Sequence, residues 1–208
     1  MDNEFNRFDY EVLPSKKPSE SELAARVKMA KSFDGLNVFT KGRARDIEQL
    51  MALLILRGSV DPDNLEGTTL DFGMGVGPAG AYVLNQYGGN VTGVDSSQSG
   101  VERAIKEGIL PKERALVQDE FEYLRSLQPN SLNFVVAFWR ARGFPHQRLC
   151  AESERVLKPK GQLLITGGLV ELKDELQRTV GMYGKVEDVM TFRGDITLGN
   201  VAFTYTKP

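Results

Sequence analysis

The chain has 208 residues, 41% hydrophobic and 26% charged, with a formal net charge of −2. That is room for one domain of ordinary size with a full core, and it gives no electrostatic pull toward nucleic acid or an anionic membrane surface. One cysteine, Cys150, and one histidine, His146, exclude a disulfide framework and a zinc site of usual composition, leaving only an oxygen-ligated magnesium site open.

Residues 1–18 are polar, carry Pro14 and Pro18, and read as a loosely held arm. The start, MDNEFNRFDYEV, is acidic and lacks the apolar core of a signal peptide, which points to a cytoplasmic protein. Ser19-Glu20-Ser21-Glu22 is a capping box, with Leu23, Val27 and Ala30 following at helical spacing. A second helix carries the stripe Ile47, Leu50, Met51 and Leu54 and stops at Gly58. Lys41-Gly42-Arg43-Ala44-Arg45 precedes it and reads as a solvated face. The longest apolar run, 51–56, falls far short of a membrane span. Residues 1–60 are thus expected to form a helical arm, a lid or cap belonging to the same domain as 61–208.

From Thr68 strands and helices alternate. Strands are expected at 68–72, 90–94, 115–118, 132–138, 162–166, 186–192 and 201–206, and helices at 78–88, 98–107, 147–157 and 170–180. This spacing predicts an α/β fold, a parallel sheet covered by helices on both faces. Ligands of such sheets bind at the carboxyl ends of the strands, where strand order reverses. The stretch LDFGMGVGPAG, 70–80, lies after the first strand and holds four glycines. It can be read in two registers. Gly75 to Gly80 is a literal G-x-G-x-x-G, but the first glycine after the strand is Gly73, and from there the third position falls on Pro78. A diphosphate would also meet the charge of Asp71. Read from Asp71, the pattern Asp71-x-Gly73-x-Gly75-x-Gly77 suits a cationic amino-acid ligand whose carboxylate uses the amides at the next helix start.

In that register, residues 66–167 resemble the class I S-adenosylmethionine-dependent methyltransferases. Four stretches carry the likeness: Thr69 to Gly77; Val91 to Ser97 with Val101 to Ala104; Val117 to Glu120; and Glu152 to Ile165. The resemblance implies a Rossmann-like sheet of seven strands, mostly parallel with the last antiparallel, and methyl transfer from S-adenosylmethionine to a small-molecule acceptor. By the same resemblance, Asp71 holds the methionine ammonium, and Gly73, Gly75 and Gly77 let the backbone approach the ligand. Asp95 takes the ribose hydroxyls, with Ser96 in the same set. The Asp119 side chain and the Glu120 amide take the adenine, and Phe138 with Trp139 lines the methyl region. Met74 and Lys160 depart from the family pattern at a small residue and a glycine, respectively.

Phe138-Trp139-Arg140-Ala141-Arg142 lacks the Asn/Asp-Pro-Pro-aromatic signature of enzymes that methylate amide or exocyclic amino nitrogens. On the acceptor side, Arg140 and Arg142 are candidates to clamp an anion, or are solvated loop residues. His146 is either a general base or a helix-starting residue that faces water. Two other readings stand beside the enzyme: a methyltransferase-like binding protein acting through a partner, and an NAD(P)-dependent oxidoreductase.

Overall fold

The computed structural model describes residues 38–75, 78–138, 144–167, 170–193 and 196–208. The capping box at 19–22, the arm up to residue 37, Gly77, Trp139, Arg140 and Arg142 lie outside the described residues. In chain order the elements are α1 (Val38–Leu56), α2 (Pro62–Leu65), β1 (Thr68–Phe72), α3 (Ala79–Gln86), β2 (Asn90–Asp95), α4 (Gln98–Lys106) and β3 (Ala115–Val117). They continue with α5 (Glu120–Ser126), β4 (Leu132–Ala137), α6 (His146–Val156), β5 (Leu157–Gly167), α7 (Val170–Thr179), β6 (Lys185–Arg193) and β7 (Ile196–Thr206).

The seven strands form one sheet in the order β3-β2-β1-β4-β5-β7-β6. Pairings from β3 through β5 are parallel, and β7 runs antiparallel to both neighbours. Parallel strands covered on both faces are apolar nearly throughout, and β4 shows why: Phe134 and Val136 enter one core layer while Val135 and Ala137 enter the other. The first layer is closed by α1, α3 and α4, the second by α5, α6 and α7. Each such fully buried large side chain contributes about 1.5–3 kcal/mol. The helix stripe at Ile47, Leu50, Met51 and Leu54 is buried, so the chain from Val38 to Leu56 is fixed packing against α3 and β6 and belongs to the core.

Three expectations change. Lys41 to Arg45 lies inside α1 instead of before it; Ala44 is buried while Arg43 and Arg45 stay exposed. An additional helix, α5, begins at Glu120, between the strands expected at 115–118 and 132–138. β5 starts five residues earlier than expected, at Leu157, because the register jumps between Leu132↔Leu157 and Phe134↔Gln162. The intervening turn is closed by Lys160 N donating to Lys207 O and Lys207 N donating to Gly161 O, both at 2.9 Å. Lys160 takes the left-handed φ of +65° that glycine adopts more readily.

Candidate functional site

The order of the strands reverses between β1 and β4, and the carboxyl end of β1 sits at that reversal. Asp71 lies there, paired in register with Gly93 of β2 and Val136 of β4, and is 2% exposed. The chain then leaves the sheet through Gly73 and Gly75, at φ +73° and +65°. These positive values favour glycine, which is the local reason the stretch is so rich in it. A Cβ built on Gly75 meets no atom of the described residues within 4 Å, so this backbone borders open space.

Pro78 precedes α3, whose second residue, Gly80, comes down directly on the strand end. A Cβ there would stand 2.7 Å from Asp71 Oδ2 and 2.7 Å from Phe138 Cδ2. Gly80 therefore lets one helix turn press against both the carboxylate and the ring, and Phe138 is itself only 8% exposed. Sequence reading saw Gly80 only as the last glycine of a dinucleotide pattern. A second complementary pair supports the turn from below: Met74 fills the space over Gly93, where a Cβ would collide with Met74 Sδ and lie 2.7 Å from Leu110 Cδ1. The methionine that departs from the family pattern is thus matched by a glycine on the neighbouring strand.

Asp95 closes β2 and is 6% exposed. Its Oδ2 accepts the Gly75 amide at 2.5 Å and its Oδ1 the Ser97 amide at 2.6 Å. Ser96 donates its backbone N–H to Glu120 Oε1 at 3.4 Å, tying the end of β2 to the start of α5. Asp119 caps α5, its Oδ1 accepting the Glu122 amide at 2.8 Å, while its residue stays exposed. The signal for this helix was present in Asp119-x-x-Glu122, a capping pattern one turn long. Val117, which pairs with Asp95 at the edge of the same cluster, exposes an apolar side chain to 53%. Asp71, Gly73, Gly75, Asp95, Ser96, Asp119, Glu120 and Phe138 are therefore gathered at the carboxyl ends of β1 to β4. Gly77 and Arg140 lie outside the described residues.

His146 is elsewhere in character. It does begin α6 after Pro145, but it is 2% exposed, which corrects the alternative that it faces water. Its Nδ1 lies 3.3 Å from Glu175 Oε1 of α7, and its ring meets Phe144 edge-on with centroids 5.1 Å apart. Phe144 continues into Phe72 and Phe121, an aromatic cluster under the end of β1, with the Arg148 guanidinium over Phe121. Neither Glu175 nor this cluster was legible from spacing, since the partners come from four separate elements. Cys150 is a buried free thiol whose pKa is pushed up to about 12 by burial and then by Glu154, so it is no nucleophile at neutral pH. Among the described residues no three His, Cys, Asp or Glu side chains gather as metal ligands, and no helix is long and apolar enough to cross a membrane.

A family model described as "Methyltransferase domain" matches residues 70–165. No curated protein matches the sequence. Among solved structures, a Thermoplasma acidophilum protein superposes with a TM-score of 0.57 at 15% identity, covering 91% of this chain and 98% of its own. The C-terminal domain of precorrin-6Y C5,15-methyltransferase from Rhodobacter capsulatus gives 0.55 at 16% identity, covering 77% and 89%. Magnesium protoporphyrin IX methyltransferase from Synechocystis, solved with bound S-adenosylmethionine, gives 0.51 at 16% identity, covering 92% and 100%. At these identities the likeness is one of fold.

Proposed function

Given that residues 70–165 constitute a class I S-adenosylmethionine-dependent methyltransferase domain, we propose that the protein methylates a small molecule in the cytoplasm. The observation that carries the site reading is the buried Asp71 carboxylate at the strand reversal, under the first turn of α3 and beside bare glycine backbone. A carboxylate at that place favours a ligand group of opposite charge, and a charge-assisted hydrogen bond to it is among the stronger ones. S-adenosylmethionine brings an ammonium to that end. Asp95 with Ser96 would take the ribose hydroxyls, and Asp119 with the Glu120 amide the adenine edge. Val117 would lie against the adenine face, and Phe138 against the methionyl chain. Gly73, Gly75 and Gly77 would leave the backbone free to approach.

Bound there, the cofactor supplies a methyl group already made electrophilic by its sulfonium. The chain's own work is to hold the acceptor atom in line and to keep water out, which can lower a barrier by up to about 7–11 kcal/mol. An amine or acidic hydroxyl acceptor needs no general base. This suits a chain whose one histidine is buried against Glu175 and Phe144, and in this reading His146 positions α6. Arg140 is kept as a cation for the acceptor. A small-molecule acceptor is supported by the fold relatives named for acting on precorrin-6Y and magnesium protoporphyrin IX.

Calorimetric titration with S-adenosylhomocysteine, NAD and NADP tests the proposal. S-adenosylhomocysteine alone should bind, and Asp71→Asn should weaken it at least about 10-fold, the loss of one charge-assisted contact. Binding of a nicotinamide dinucleotide instead would overturn it. Tight S-adenosylhomocysteine binding without methyl transfer to any member of a broad small-molecule panel would favour a binding protein that acts through a partner.

A further inference from the structure

Asp95 does more in this fold than end a strand. Of the two hydrogen bonds its carboxylate accepts among the described residues, the one from Ser97 is local, an aspartate bonding the backbone two residues on as it does at many turns. The one from Gly75 joins two separate crossovers. It completes a series, because Gly73 N and Met74 N both donate to Val94 O, at 2.8 and 3.3 Å. Three successive amides of the glycine turn are thus fastened to the last two residues of β2, and the final fastening is a buried charge. A charge-assisted bond is roughly twice as strong as a neutral one, so the attachment at Gly75 is the strongest of the three. It also falls where the backbone holds a positive φ and a Cβ would meet no atom of the described residues within 4 Å.

We propose that Asp95 is a positioning residue for the glycine turn, holding it in its ligand-ready shape before any ligand arrives. A carboxylate offers roughly four acceptor positions. Two serve Gly75 and Ser97, which leaves the others for further donors. The role as hydroxyl acceptor rests on the cofactor reading above; the role as fastener of the turn does not. Where both operate, recognition of a ribose and order in the turn are coupled through one side chain, and the ordering cost is met in advance of binding.

Asparagine separates the two jobs. In Asp95→Asn, Oδ1 can still accept the Ser97 amide, but the NH₂ group then faces the Gly75 N–H, donor against donor. Hydrogen exchange read by mass spectrometry on the ligand-free full chain tests this, with wild type, Asp95→Asn and Asp95→Ala compared. Peptides reporting Gly73 to Gly75 should exchange at least ~10-fold faster in Asp95→Asn while those reporting Ser97 stay as in wild type; Asp95→Ala should release both. Thermal unfolding checks that the variants fold, and Asp95→Asn carries the test if Asp95→Ala does not. Unchanged exchange at Gly73 to Gly75 in Asp95→Asn would overturn the proposal. S-adenosylhomocysteine titration of the same proteins adds a second reading. Weaker binding together with a loosened turn supports the coupling, whereas weaker binding with an unaltered turn gives Asp95 to the ligand alone and refutes it. A wild type that binds no S-adenosylhomocysteine but whose turn loosens in Asp95→Asn would sink the cofactor reading and uphold the fastening.

Discussion

Gly80→Ala is the sharpest test of how the site is held. In an ordinary helix position this change stabilises, by about 0.5–1 kcal/mol, because alanine loses less backbone freedom than glycine. Here the new methyl would stand 2.7 Å from Asp71 Oδ2 and from Phe138 Cδ2, and 3.0 Å from Phe138 Cε2. Ordinary carbon contacts need roughly 3.5–4.0 Å, so both groups must move by nearly an ångström. Neither is a loose chain end, as Asp71 is 2% and Phe138 8% exposed. Overpacking of this kind costs about 1–3 kcal/mol and outweighs the helix gain. We expect a net loss of about 1–2 kcal/mol in urea denaturation. S-adenosylhomocysteine affinity should fall about 10- to 30-fold, since the displaced groups are those assigned to the methionyl end. Gly80→Ala/Phe138→Leu should recover part of the stability, because the ring edge is one of the two obstacles. A Gly80→Ala protein as stable as wild type, with affinity within 2-fold, would refute the reasoning.

Gly93→Ala should lower both melting temperature and S-adenosylhomocysteine affinity by forcing Met74 from its place, and Met74→Ala in the same protein should restore most of the loss. Additive effects in that double-mutant cycle would count against the pairing. Glu48 of α1 has a buried Oε2 with no hydrogen-bond partner among the described residues, and burial raises its pKa from 4.5 to about 7. A folded pKa above the unfolded one gives stability that is present below 4.5 and lost as pH rises through about 7. The full difference is worth at most ~3 kcal/mol, and half-burial reduces it to about 1 kcal/mol. Glu48→Gln, which cannot ionise, should therefore melt about 2–4 °C above wild type at pH 8 and close to it at pH 5; an advantage that fails to grow with pH would be the wrong result. Lys160→Gly should stabilise by about 1 kcal/mol in denaturant titration, by relieving a left-handed φ of +65°, and should leave S-adenosylhomocysteine binding unchanged.

The strands of this sheet were readable because burial on both faces leaves runs such as 134–137 without polar interruption, and because glycines at positive φ, including Gly58 and Gly108, mark where helices stop. The carboxylates at the strand ends were readable for a related reason: Asp71 and Asp95 each come at the end of a short run rich in β-branched residues and precede a turn. What escaped depends on contacts between distant segments. α5 is seven residues long, too short for a periodic stripe, and only its cap announces it. The start of β5 was hidden by Lys158-Pro159-Lys160-Gly161, which reads as loop but is held by hydrogen bonds to the chain end at Lys207. The burial of His146 follows from Phe144 and from Glu175 on another helix, and no local pattern carries that information.

The two registers of the glycine stretch differ in what they ask of the third glycine. A dinucleotide site uses it for close packing of helix on strand beneath a diphosphate. In this fold Gly80 does give close packing, but the atom it approaches is a carboxylate oxygen, and Asp95 sits two residues beyond Asp71's partner on the neighbouring strand. Two buried acidic groups around one turn set a negative field where the helix amides alone would favour an anion. Like charges at such range repel with energies of several kcal/mol at the effective dielectric of a protein surface, so a diphosphate is opposed and an ammonium is drawn in. The sheet agrees: β7, antiparallel and inserted between β5 and β6, departs from the 3-2-1-4-5-6 order of dinucleotide folds. The first and last glycines of the literal G-x-G-x-x-G thus answer two separate requirements, positive φ at Gly75 and clearance for Asp71 and Phe138 at Gly80.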